Sequence, residues 1–169
     1  HYRDARITTI YEGTNGVQAM DLLGRKIVRD GGEAAQIFMA KVEKTIDQLD
    51  LKIESHASLS KHLKDSIGAL RETVDWMLDT FKLEPGYAAA GATALVEMMG
   101  LISGGWMLAR GAIEASRQIS DGSGDPKFLS SKLVTARYFA EVHLSRASSL
   151  VGPIKNGGNC VMDFDPTQF

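Results

Sequence analysis

Apolar residues recur every three or four positions along most of this chain, a spacing that predicts five helices and almost no strand. Residues 1–13, where Ile7, Thr8, Thr9, Ile10 and Tyr11 precede Glu12-Gly13, read as extended or loop-like. Thr14 or Asn15 is a natural cap for a first helix over about 14–29, which Asp30-Gly31-Gly32 stops. A second helix over about 33–54 places Ala35, Phe38, Val42, Ile46, Leu49 and Ile53 on one face. A third, over about 58–83 with Ser58 as cap, carries Leu59, Leu63, Ile67, Leu70, Val74, Met77 and Phe81, and Glu84-Pro85-Gly86 ends it. Asp125 followed by Pro126 starts a helix over about 126–151, along which Leu129, Leu133, Ala136, Ala140, Leu144, Ala147 and Val151 repeat the spacing. Long segments of this kind joined by short loops predict an all-α fold: an antiparallel bundle of about four long helices preceded by a short loop and helix.

The fourth segment, about 87–118, has a different character. From Tyr87 to Ala109 its one charge is Glu97, and it is long enough to cross a membrane. A central carboxylate costs about 3 kcal/mol in a bilayer, and the run is rich in Ala, Gly and Met, so a buried central helix is the preferred reading. Ala88, Ala92, Gly100, Gly104 and Gly111 form a small-residue stripe that lets another helix approach, with a subunit interface as one reason for it. After Val151, Gly152-Pro153 and Asn156-Gly157-Gly158-Asn159 have loop composition, so residues 154–169 read as an irregular tail in which Phe164, Pro166 and Phe169 form at most an ordered strap.

Composition narrows the function classes. With 44% hydrophobic and 24% charged residues the chain is globular. Nineteen Lys and Arg against 21 Asp and Glu leave a net charge of −2, without the basic footprint of a nucleic-acid binder. A single cysteine, Cys160, cannot close an internal disulfide, and no secretory signal pattern opens the chain, so a cytoplasmic location is expected. The first residues read like the middle of a longer protein.

Most searches for chemistry come back empty. No Walker sequence appears, and no glutamate is followed three residues later by the histidine of a helical di-iron site. His56 and His62 would need help from elsewhere to hold a metal and are expected to be solvated; no metal site is expected. His143 is expected to be an ordinary helix histidine, Cys160 an incidental thiol, and Trp76 and Trp106 core or interface residues. The pairs Glu43/Asp47, Glu72/Asp75 and Arg110/Glu114 read as solvated faces. So does the basic bias of Lys127, Lys132, Arg137, Arg146 and Lys155, with a membrane surface as the less favoured contact.

One stretch is specific. Arg3-Asp4-Ala5-Arg6-Ile7, then Ile10-Tyr11-Glu12-Gly13-Thr14 and Gln18, resembles the signature at the end of the catalytic region of the acyl-CoA dehydrogenase family, and the helix that follows is similar too. The resemblance implies that Glu12 is the base that takes the α-proton of an acyl-CoA thioester, while the β-hydride passes to N5 of FAD. It implies further that Tyr11 and Gly13 line the substrate pocket and that Thr14, Asn15 and Gly16 contact FAD. Residues 1–30 would then be the end of the catalytic region and 31–153 a helical extension, similar to that of the methylthiopropionyl-CoA dehydrogenases. An acyl-CoA substrate, an electron-transfer flavoprotein and a homo-oligomeric state follow from the same resemblance, and this stretch alone is expected to be inactive. The alternative is a helical module that docks a partner protein or a membrane surface.

Overall fold

The computed structural model describes residues 2–10, 13–165 and 167, without the side chain of Thr9. Its helices are α1 (Tyr2–Ala5), α2 (Asn15–Asp21), α3 (Glu33–Ile46), α4 (Glu54–Leu83), α5 (Pro85–Ala90), α6 (Ala92–Ser120), α7 (Pro126–Tyr138) and α8 (Val151–Met162). A 3₁₀ turn, Arg6–Thr9, follows α1, and a π-helical stretch, Leu22–Val28, continues α2. A π turn, Phe139–His143, and a 3₁₀ stretch, Leu144–Leu150, link α7 to α8. The fold is all-α, as the periodicity predicts.

Two long helices form the axis. α4 has 30 residues and α6 has 29, about 45 Å each at 1.5 Å per residue. They run antiparallel, because His56 at the start of α4 meets Ser116 near the end of α6, while Leu63 meets Gly105 further in. α3 is antiparallel to α4, with its start at Val74 and Leu78 through Gly32 and its end at Arg71 through Glu43. The last helical run, 126–162, lies parallel to α4 and antiparallel to α6. Glu54 pairs with Arg137, Ser58 with Glu141 and Glu72 with Lys155, while Gly104 faces Phe139 and Gly91 faces Ile154. Ala19, Leu23 and Ile27 of α2 and its continuation join the same core.

The sequence of α6 explains how closely these helices approach. Its inward stripe is Ala92, Leu95, Met98, Ile102, Gly105, Ala109, Ala112 and Ala115, large over Leu95–Ile102 and small from Gly105 onward. A Cβ at Gly105 would lie 2.7 Å from Leu144 Cδ2, and one at Gly104 would lie 2.8 Å from the Phe139 ring. The expected small-residue stripe is thus consumed mostly within the chain: Ala88 and Ala92 are buried, and Gly104 receives Phe139. Gly100 and Gly111 face open space. α6 is long and apolar enough to cross a membrane by length and composition, with a third of its most apolar window buried here.

Four boundaries depart from the sequence expectations. Residues 2–9 are helical rather than extended, although none of the described side chains in α1 or the 3₁₀ turn is buried. α3 stops at Ile46 and α4 starts at Glu54, four residues before Ser58. The Asp50 carboxylate accepts from Lys52 N at 2.9 Å, and its carbonyl accepts from Ile53 N at 3.0 Å, a turn that apolar spacing does not register. The fourth segment divides at Gly91. The fifth does not end at Val151: the supposedly irregular tail is helical to Met162. Pro153 lies in the first turn of α8, where its missing N–H is not needed. Gly158 sits where a Cβ would be 2.9 Å from Tyr87 Cα, and Gly91 where one would be 2.6 Å from Ile154 O. What reads as loop composition is therefore the requirement of a backbone-to-backbone crossing of α5 and α8. Pro166 and Phe169 lie outside the described residues.

Other expectations hold locally. Asp30-Gly31-Gly32 separates the first helix from α3 as expected, and Asp30 also accepts from Gly32 N at 3.0 Å and Ala34 N at 2.9 Å across the two glycines at positive φ. Asp125 caps α7 by accepting from Lys127 N at 2.9 Å. Thr14 occupies the cap position of α2, but at φ 57° and with no capping hydrogen bond from its side chain.

Two outcomes follow. Gly91→Ala should destabilise the protein by about 1–3 kcal/mol, because a fixed backbone cannot yield to the new methyl. Gly68→Ala, at an exposed site within α4 with nothing within 4 Å of the new carbon, should stabilise it by about 0.4–1 kcal/mol. Urea denaturation of both variants checks the pair, and equal effects would contradict the close crossing. Separately, hydrogen bonds from Arg117 and then Gln118 hold the Glu114 carboxyl down to about 2, from 4.5. Its stabilising contribution is therefore complete above pH 4.5 and is lost as pH falls through about 2. In Arg117→Ala the Glu114 carboxyl, followed by NMR, should titrate closer to 4.5; a midpoint still near 2 would contradict this pairing.

Candidate functional site

The residues singled out by the sequence lie where the N-terminal turns meet α2. Gly13 at φ 116° and Thr14 at φ 57° reverse the chain into the helix. Glycine adopts the first conformation at no steric cost. Gly13, Thr14 and Asn15 line an open hollow of about 400 Å³ together with Ile7, Thr8 and Gln18. Gly16 lies on the first turn beside it, and a Cβ there would meet nothing within 4 Å. Tyr11 and Glu12 lie outside the described residues. The structure thus brings together three of the expected site residues and adds Ile7, Thr8 and Gln18. The signal for Gln18 was its position one helical turn after Asn15.

A second hollow, of about 280 Å³, adjoins the first through Asn15 and Gln18, and is closed on its far side by Thr93, Val96 and Glu97 of α6. The site therefore spans the junction of α2 with the central helix of the bundle. Every residue from 13 to 18 is exposed, and the first buried one among the described residues is Ala19.

Other groups that could carry chemistry are occupied structurally. His56 is not solvated: it is 2% exposed. Its Nδ1 accepts from Asp50 N at 3.2 Å, so Nε2 carries the proton and donates to Ser116 Oγ at 3.0 Å. An imidazole so arranged cannot take the serine proton, and the pair is a structural tie between the α3–α4 connection and α6, not a nucleophile with its base. The signal was present in the spacing, since His56 precedes Leu59 and Leu63 on the core face of α4. His143 packs against the Tyr138 and Phe139 rings. Trp106 donates to Thr45 Oγ1 at 2.8 Å and meets Phe38 edge-on. Among the described residues no three His, Cys, Asp or Glu side chains converge as metal ligands.

The basic residues of the last helical run are largely paired. Arg137 bonds Glu54 and Glu141, Arg146 approaches Glu97 at 3.6 Å, and Lys155 bonds Glu72, so this charge fastens the run to α4 and α6. Lys132 instead lies over the Phe128 ring, at the edge of an open hollow of about 310 Å³ that also includes Met107, Leu108, Glu114 and Leu129.

Comparison with known proteins identifies the setting. A family model described as "Acetyl-CoA dehydrogenase C-terminal like" matches residues 38–165. The chain is 35% identical over 161 residues to a 3-methylmercaptopropionyl-CoA dehydrogenase of Ruegeria pomeroyi, covering 95% of this chain and 27% of that protein. It is 30% identical over 179 residues to a broad-specificity linear acyl-CoA dehydrogenase of Mycobacterium tuberculosis, covering all of this chain and 29% of that protein. A butyryl-CoA dehydrogenase of Syntrophomonas wolfei is 25% identical over 143 residues, covering 81% of this chain and 23% of that protein. The chain thus spans under a third of the length of these relatives. With most of its helices inside the family match and its N-terminal motif inside the longer alignments, the chain belongs to the acyl-CoA dehydrogenase family, whose C-terminal helical domain it carries.

Proposed function

We propose that this chain is the C-terminal part of an FAD-dependent acyl-CoA dehydrogenase that converts an acyl-CoA thioester to the trans-2-enoyl-CoA. The observation that carries this reading is the motif ending in Glu12-Gly13-Thr14, whose described residues open onto the hollow at the start of α2. Two features fit a polar, anionic cofactor edge there. Among the described residues no side chain caps the first turn of α2, whose N-terminal end suits negative charge, and a Cβ at Gly13 or Gly16 would meet nothing within 4 Å. Thr14, Asn15 and Gly16 are the residues that would hold FAD.

In this reading Glu12 takes the α-proton of the thioester. That proton is weakly acidic, so its removal needs a positioned base and a polarised carbonyl. The amide N–H of Glu12 supplies the polarising hydrogen bond, and Gly13 lets substrate and cofactor approach the backbone. Tyr11 lines the pocket beside the base. Bound FAD supplies the acceptor for the β-hydride, at its N5 atom. The stretch in hand would be inactive alone, because the greater part of a flavin and acyl pocket would come from the remainder of a full-length parent. An electron-transfer flavoprotein as oxidant, a homo-oligomeric assembly and a cytoplasmic location complete the proposal.

The test uses the full-length parent. Glu12→Gln should leave flavin content unchanged and slow anaerobic flavin reduction by acyl-CoA about 10²–10⁴-fold. Reduction at the unaltered rate would remove Glu12 from the role of base.

A further inference from the structure

We infer that the strip of α6 from Thr93 to Gly100 is the surface on which the upstream catalytic region of the same polypeptide seats, and that it forms one docking groove with the site at the start of α2. This rests on the proposed dehydrogenase reading. The hollow at the start of α2 and the hollow against α6 share Asn15 and Gln18, so the two adjoin, and a region that completes the first also reaches Thr93 and Val96. Thr93, Val96 and Gly100 share one face by their spacing of three and four. Val96 is 39% exposed although α6 is the most apolar long helix of the bundle. Gly100 weakens a helix relative to alanine, yet a Cβ there would meet nothing within 4 Å, so no contact among the described residues requires it. Further along α6 the strip ends, because Phe139 covers Gly104.

The occupant follows from chain length and attachment. Relatives that match 95–100% of this chain devote only 27–29% of their length to it, which leaves about seven-tenths of such a protein to be accommodated. The segment that leads into α2 exposes Ile7 at 58% and Ile10 at 80%, so the apolar surface already begins on the upstream side of the groove. Exposed apolar patches of this kind mark contact sites. A region joined to this arm is delivered to the groove by the covalent chain at high effective concentration, an advantage that a second copy lacks.

The experiment is cysteine accessibility in the full-length parent. Thr93→Cys is placed in a Cys160→Ser background, and maleimide modification of that position is followed by peptide mass spectrometry, natively and in urea. Modification should be about tenfold or more slower in the native protein, independent of protein concentration. Equal native and unfolded rates would overturn the inference, and so would protection that disappears on dilution, which would assign the strip to a second copy. Flavin content of the same preparation separates the two proposals. Protection at position 93 in a protein that retains no flavin would keep the docking surface and sink the dehydrogenase reading. A flavin-loaded protein open at position 93 would sink the docking surface alone.

Discussion

The close approach of other helices to α6 is the constraint on which the structure depends. A helix whose inward positions are Leu, Met and Ile in one half and Gly and Ala in the other offers, along the small half, a groove deep enough for large side chains from its neighbours. At Gly105 the Leu144 and Leu63 side chains converge, both fully buried. Dispersion and burial reward such a meeting only if the backbone gives way, which is what the missing Cβ permits. The crossing of α5 with α8 repeats the solution with roles exchanged, since Gly91 admits Ile154 and Gly158 admits Tyr87. Each glycine weakens its helix by about 1 kcal/mol relative to alanine, and the contact it opens offsets that cost.

Around this axis the polar groups act as fasteners. Arg71 joins α4 to α3 through Gln36 and Glu43, Arg137 joins the last helical run to Glu54 of α4, and Lys155 joins the same run to Glu72. Exposed pairs of this kind contribute about 0–1 kcal/mol each, so they set register more than they stabilise. The tie made by His56 is of another kind, because its buried imidazole is bonded on both ring nitrogens, and removing it would take away the partners of the part-buried Asp50 amide and Ser116 hydroxyl at once.

The periodicity carried the helices of the bundle well, because burial on one face imposes a 3.6-residue pattern wherever the core is reached. It failed where another rule governs. The turn at Asp50 is made by a side chain bonding to local backbone, which leaves no trace in apolar spacing. The tail after Val151 has the glycine and proline of a loop, whereas Gly158 answers to Tyr87, far along the chain and beyond the reach of any local rule. For the site, Thr14, Asn15 and Gln18 were legible as a motif, but the hollow that unites them with Thr93 and Val96 depends on how α2 meets α6, a tertiary fact. His56 was misread because residue type was weighed above its place on the core face of α4.

The resulting molecule is a helical bundle with one shared core, preceded by a short segment whose described side chains are all exposed. Hydrogen exchange across the chain tests that division most directly. The account predicts the slowest amides in the buried turns of α4 and α6, around Leu63–Leu70 and Leu95–Ala109, and unprotected amides over residues 2–10, where none of the described side chains is buried. Exchange in α6 as fast as in residues 2–10 would contradict it, because α6 would then not be the axis around which the bundle folds.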